Sequence, residues 1–161
     1  MTVKHYDAKT FNAGRSIGYL LKMSQSMIHD AQASAFAGHD LSFAQWLVLL
    51  KLKEGAAITA SDLCRQMRHD NGALTRLLDQ LEERGFLDRQ RSEEDRRVVK
   101  LDLTAAGRRK VAELLPLAID GLNNAVANFS KTEFGELVRL LNKLVDNLKS
   151  QEQTRAGGET A

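Results

Sequence analysis

The 161-residue chain is poor in two residues that carry much catalytic and metal chemistry, with one cysteine and four histidines, and it has only one proline and one tryptophan. A single cysteine excludes an internal disulfide, and Cys64 is expected to be a small core residue rather than a redox centre. His5, His29, His39 and His69 are scattered without zinc-ligand spacing, so no metal is expected. There is no glycine-rich phosphate loop, and nothing places a Ser, a His and an Asp together, so neither a cofactor nor catalytic residues are expected. No apolar run approaches the roughly 18 residues of a membrane span, and no charged-then-apolar leader opens the chain, which points to a soluble cytoplasmic protein without membrane association. Charge is nearly balanced, with 23 Lys and Arg against 21 Asp and Glu for a formal net charge of +2. A total so small says little about nucleic acid, and the placement of the charges matters more.

What the chain does have is an ordered pattern between Thr59 and Gly107. Thr59 followed by Asp62 reads as a helix start, because the hydroxyl can accept an orphan N–H while the acid suits the positive first turn. Leu63 and Met67 share one face of that short helix. Arg68, His69 and Asp70 form a polar break, with Asp70 as an N-cap. A second helix is expected from about Asn71 to Arg84, with Leu74, Leu77, Leu78 and Leu81 facing a core and Gly85 closing it. Asn71, Gly72, Ala73, Thr75, Arg76 and Asp79 lie off that stripe. Two strands are then expected, Phe86 to Arg91 and Val98 to Leu103, with Val99, Leu101 and Leu103 on the buried face. Ser92 to Arg97 joins them without an apolar residue. Arg89, Arg91, Arg96, Arg97 and Lys100 gather there.

Two short helices followed by a charged hairpin form a winged helix-turn-helix, whose exposed second-helix N-terminus enters the major groove of duplex DNA. Small residues there permit close approach, so Asn71, Gly72, Ala73, Thr75 and Arg76 are the candidate DNA contacts in the groove. Arg96 and Arg97 are the candidates at the wing tip, where a narrow minor groove concentrates negative potential. Asp95, two residues before Arg97, is placed to orient that guanidinium. An isolated hairpin of this kind would read as a solvated turn whose charges pair with one another.

Outside the wing the chain is mainly α. An apolar stripe with Ile17, Leu20, Leu21, Met27 and Ile28 predicts a helix from about Phe11 to Phe36. Ser42 caps another from Phe43 to about Glu54. Thr104 starts a long helix that Pro116 is expected to kink. Ser130 with Glu133 is a capping-box start for a last helix carrying Phe134 to Leu148. These helices carry more apolar surface than a small winged helix covers, which predicts a homodimer with a shared helical core.

Three stretches resemble the MarR family of transcriptional regulators: Leu41 to Leu50, Leu74 to Arg89, and Asp95-Arg96-Arg97 together with Leu103-Thr104-Ala105-Ala106-Gly107. The resemblance runs from about residue 12 to 149. It implies one domain over residues 1–161: dimerisation helices at 11–36 and 104–149, a winged helix-turn-helix with its leading helix at 43–103, and a flexible tail at 150–161. It implies a homodimer that binds a pseudo-palindromic double-stranded operator, most often as a repressor, and releases it when a small phenolic or aromatic ligand binds between the dimer region and the winged helix. Peroxide-sensing members carry their reactive cysteine near the N-terminus, where this chain has none. By resemblance Trp46 borders the ligand cleft, and Tyr19, Met23 and Ser26, spaced four and three apart, line it, with Arg15 or His39 offering charge to a carboxylate. Each of these six has a plain structural alternative, Trp46 above all as a core aromatic. A DNA-binding regulator without an effector is the alternative function, and an enzyme a distant third.

Overall fold

The computed structural model describes residues 4–55, 59–67, 71–92 and 98–158. Residues up to Leu122 form one compact unit, and those from Asn123 a second. Helix α1 (Ile17–Ala35) begins where Ser16 accepts the Tyr19 N–H at 3.3 Å. The helix expected from Phe11 therefore starts later. Asn12 and Gly14 are poor helix formers, and Ala13–Arg15 make only a 3-10 turn that ends on the Ser16 cap. The Tyr6 hydroxyl accepts the Ile17 N–H at 2.9 Å and ties the preceding segment to the helix start.

Helix α2 (Phe43–Lys53) opens with a full capping box: Gln45 N–H donates to the Ser42 hydroxyl at 3.2 Å, and the Gln45 side-chain oxygen accepts the Ser42 N–H at 3.0 Å. Its buried face carries Trp46, Val48 and Leu49. Trp46 is 3 % exposed, lies against the rings of Phe36 and Phe43, and donates its indole N–H to the Val111 carbonyl at 3.2 Å.

The winged helix follows as α3 (Ala60–Met67), α4 (Asn71–Glu83), β1 (Leu87–Arg91) and β2 (Val99–Leu103). Thr59 caps α3 as expected, accepting the Asp62 N–H at 3.1 Å and donating to its carboxylate at 2.8 Å. In α4, Leu74, Leu78 and Leu81 are buried and Leu77 half-buried. Gly85 ends α4 with φ 70°, a left-handed conformation that favours glycine. Gly85 N–H bonds the Glu82 carbonyl at 2.8 Å and Phe86 N–H the Leu81 carbonyl at 2.9 Å, the paired bonds of a Schellman cap. The strands pair antiparallel, from Leu87 opposite Leu103 to Arg91 opposite Val99. Leu101 and Leu103 are buried but Val99 is 41 % exposed, because the buried face expected to include it ends where the hairpin leaves the core. Thr59 adds an isolated bridge to Lys100.

Thr104 joins two helices. Its hydroxyl accepts the Gly107 N–H at 3.0 Å, capping α5 (Ala105–Ala125), and donates to the Gly85 carbonyl at 2.7 Å, closing α4. Helix α5 continues through Pro116 and buries Gly107, Val111, Leu114 and Ala118. Gln32 of α1 is buried and donates to the Ala118 carbonyl at 2.9 Å. Lys110 reaches Asp40 and Glu113, each at 2.8 Å. The hydrogen bond and charge of Lys110 hold the Asp40 carboxyl below its usual range, so the pair helps the fold above that range and its contribution is lost as pH falls from there through the lowered value.

The second unit is described by itself. Helix α6 (Lys131–Gly158) starts on the Ser130–Glu133 capping box: Ser130 N–H donates to the Glu133 carboxylate at 2.9 Å, and Glu133 N–H to the Ser130 hydroxyl at 3.2 Å. The Ser130 N–H bond, with the Ser130 hydroxyl donating to the same carboxylate at 2.7 Å, lowers the Glu133 carboxyl. The helix runs on through most of the tail expected to be flexible from residue 150. Gln151, Glu152 and Gln153 are ordinary helix formers, and the Ser150 and Thr154 hydroxyls bond carbonyls one turn back. Among the described residues no helix is long and apolar enough to cross a membrane.

Candidate nucleic-acid interface

Helix α4 positions the candidate groove contacts. With Leu74, Leu78 and Leu81 turned to the core, Gly72, Ala73, Thr75 and Arg76 are exposed along the opposite face of its first turns. Asn71 is the first residue of the helix. Arg76 has no carboxylate partner among the described residues, so its guanidinium remains available to an external acceptor. Gly72 and Ala73 add little bulk, which lets the backbone approach a base edge or phosphate closely. Arg96, Arg97, the expected orienting residue Asp95 and the expected cap Asp70 lie outside the described residues.

The helix is held by contacts that sequence reading did not find. Gln45 spans from the α2 cap to α4, its amide donating to the Gln80 side chain at 2.9 Å. The signal was present, since Gln three residues after Ser42 is a capping-box pair, but its second bond goes to a residue far along the chain. Arg89, one of the basic residues gathered at the hairpin, does not present its charge outward. Its guanidinium donates to Asp79 and Glu82 of α4, each at 2.7 Å, so its charge is engaged within the protein. Arg84 stacks its cation over the Phe86 ring at 5.0 Å. Arg91, by contrast, is exposed on β1 and has no ion-pair partner among the described residues.

The six candidate ligand contacts differ in their surroundings. Tyr19 and Met23 are 47 % and 40 % exposed on α1, and Ser26 is exposed on the same helix. Trp46 is sealed in the core with its N–H satisfied, so it packs as a core aromatic. His39 follows α1 with its ring 6.5 Å from that of Phe36. Arg15 lines a separate open cavity of about 280 Å³ with His5, Tyr6, Asp7, Thr10, Phe11 and Asn12. Cys64 is half-buried against the core. Among the described residues no group of three or more His, Cys, Asp and Glu is placed to hold a metal ion.

Comparisons with known proteins agree with this geometry. The MarR family model matches residues 41–99, from just before α2 to the start of β2. The transcriptional repressor MprA of Escherichia coli is 33 % identical over 107 residues, which cover 66 % of this chain and 61 % of that protein, so the match spans less than two thirds of MprA. The organic hydroperoxide resistance transcriptional regulator of Bacillus subtilis is 32 % identical over 114 residues, 71 % of this chain and 74 % of that protein. Among solved structures, a mutant MarR from E. coli complexed with operator DNA superposes with a TM-score of 0.73 at 29 % identity, covering 84 % of this chain and 97 % of that one. The hairpin, the paired caps at Thr104 and this run of relatives together show that the chain belongs to the MarR family.

Proposed function

We propose that the protein is a sequence-specific regulator of transcription, a repressor that binds a pseudo-palindromic duplex as a homodimer and is not an enzyme. The observation that carries this reading is the exposed N-terminal face of α4, where Gly72, Ala73, Thr75 and Arg76 precede a hairpin whose strands are joined by a sequence containing Asp95, Arg96 and Arg97. It is supported by the E. coli MarR relative whose structure was solved with operator DNA. Two copies related by a two-fold axis place their recognition helices about 34 Å apart, in successive major grooves. Selection of bound duplexes from a random pool tests this directly, and it is expected to return inverted repeats one helical turn apart. Arg76→Ala is expected to weaken binding by about tenfold or more and to relax base preference at one position of each half-site. Arg97→Ala is expected to reduce the salt slope by about one to two per dimer, because each subunit loses one cationic contact. A pool that yields no enriched sequence, or an Arg97→Ala variant with the wild-type salt slope, would count against the groove and wing assignments respectively.

The regulatory half of the reading is that a small aromatic acid lowers operator affinity. Such a ligand must bind the DNA-incompetent arrangement better than the competent one, since equal affinity shifts nothing. Tyr19, Met23 and Ser26 offer a ring, a thioether and a hydroxyl on one exposed edge of α1, with the Arg15 cation four residues before Tyr19 and the His39 ring beyond the end of the helix. Trp46, the single tryptophan, reports rearrangement of the core from within. Salicylate-like compounds are expected to change its emission and weaken operator binding over one concentration range, and Ser26→Ala to shift both curves together. An emission change at unchanged operator affinity would leave a DNA-binding regulator without this effector.

A further inference from the structure

The inward-facing row of the hairpin contains a residue that does not belong to an apolar row. Leu87 and Arg89 of β1 stand opposite Leu103 and Leu101 of β2, and those three leucines are buried. Residues paired across two antiparallel strands share a face. Arg89 therefore occupies a position where another leucine would extend the core. Its guanidinium instead spans two carboxylates three residues apart on α4: Nη2 bonds Asp79 and Nη1 bonds Glu82, each at 2.7 Å. Residues at this spacing share one helix face, and a planar guanidinium can donate to both at once where a lysine ammonium, a point charge on a flexible stem, lacks that fixed fork.

We propose that Arg89 is a positioning residue that fixes the angle between the hairpin and α4, so that the wing and the recognition helix meet adjacent grooves together. The inference rests on the DNA-binding reading above. The first anchor between the two elements is the α4 cap at Gly85 and Phe86, with Leu87 buried behind it. That cap sets where β1 begins, while the Thr59–Lys100 bridge and the buried Leu101 and Leu103 hold β2 to the core. Arg89 adds the attachment that ties β1 directly to the body of α4 and so limits its tilt against that helix. Charge points the same way. From Asn71 to Glu83 the helix carries Arg76 against Asp79, Glu82 and Glu83, an excess of negative charge on an element that approaches phosphates. Asp79 and Glu82 are tolerable there because Arg89 engages them. Arg89 then acts within the protein and makes no phosphate contact.

The full-length protein with Cys64→Ser, labelled at Glu83→Cys and Gln90→Cys, gives the inter-element distance by paired spin labels without any DNA. Wild-type Arg89 is expected to give one narrow distribution, Arg89→Met a broad one, and Arg89→Lys an intermediate one. On the selected duplex, unlabelled Arg89→Met is expected to weaken binding by about tenfold with an unchanged salt slope, whereas Arg91→Met lowers the slope. The Asp79→Asn, Glu82→Gln pair is expected to reproduce the Arg89→Met loss and not to add to it. Should Arg89→Met fail to fold, Arg89→Lys carries the same comparison. A distance distribution as narrow in the variants as in wild type overturns the proposal, and so does a salt slope reduced by Arg89→Met, which would make Arg89 a phosphate contact. Failure of the wild-type chain to select any duplex would overturn the DNA reading alone, because the distance measurement stands without it.

Discussion

Replacing Gly107 with alanine is expected to cost about 3 kcal/mol of stability or more, a large fraction of the margin that holds an ordinary domain folded. On propensity alone the sign would be opposite, because alanine in a helix is favoured over glycine by about 1 kcal/mol. Space decides the matter. A Cβ on Gly107 would meet the Phe86 carbonyl oxygen at 2.0 Å and a Leu103 methyl at 3.2 Å. The first of these is backbone, and it cannot move freely, since Phe86 is held by the α4 cap and its carbonyl accepts the Thr104 N–H at 3.2 Å. The Leu-Thr-x-x-Gly sequence thus has a mechanical meaning. Thr104 ties the end of α4 to the start of α5, and Gly107 lets the first turn of α5 sit against the turn into the wing. A Cβ on Gly135 of α6 would meet nothing within 4 Å, so Gly135→Ala in this chain is the matched comparison and is expected to be neutral or stabilising. Chemical denaturation of the two variants checks the claim, and Gly107→Ala unfolding at the wild-type midpoint would remove it.

Deleting the chain from Ser130 onward is expected to abolish dimerisation and to weaken operator binding by about a thousandfold or more, because two half-sites held by one dimer become two independent contacts. The physical ground lies in α6. Phe134, Val138, Leu140, Val145 and Leu148 keep 40 to 50 % of their surface exposed. Covering what remains would contribute on the order of 1 kcal/mol for each side chain, several kcal/mol per subunit. Helix α1 adds Ile17, Leu20 and Met27, each at least half exposed. A second copy of the chain is the occupant proposed for both faces. Sedimentation of the full-length protein is expected to give a dimer and of the truncated protein a monomer. A full-length chain that sediments as a folded monomer, or a truncated one with undiminished operator affinity, would defeat this account.

The sequence by itself determined the elements whose causes are local. Ser42, Thr59, Thr104 and Ser130 each carry the hydroxyl that starts a helix, Gly85 supplies the left-handed turn that ends α4, and the spacing of Leu74, Leu78 and Leu81 fixes which face of α4 is buried. These signals act within a turn or two of chain, so they are legible one residue at a time. From them follow the order of the winged helix and the exposed face that carries Gly72, Ala73, Thr75 and Arg76. The tertiary structure alone decided which charges are spent inside the protein and which aromatic is a core residue. Arg89 reads from sequence as one more cation of the wing, and only the return of β1 past α4 brings it to Asp79 and Glu82. Trp46 reads from sequence as a core aromatic with a cleft role as the other possibility, and Val111, far along the chain, decides for the core by taking its N–H. Gln32 gives no sign of burial until Ala118 of α5 accepts its amide. Each of these contacts joins residues from different elements, and a one-dimensional pattern records the partners without recording that folding makes them neighbours.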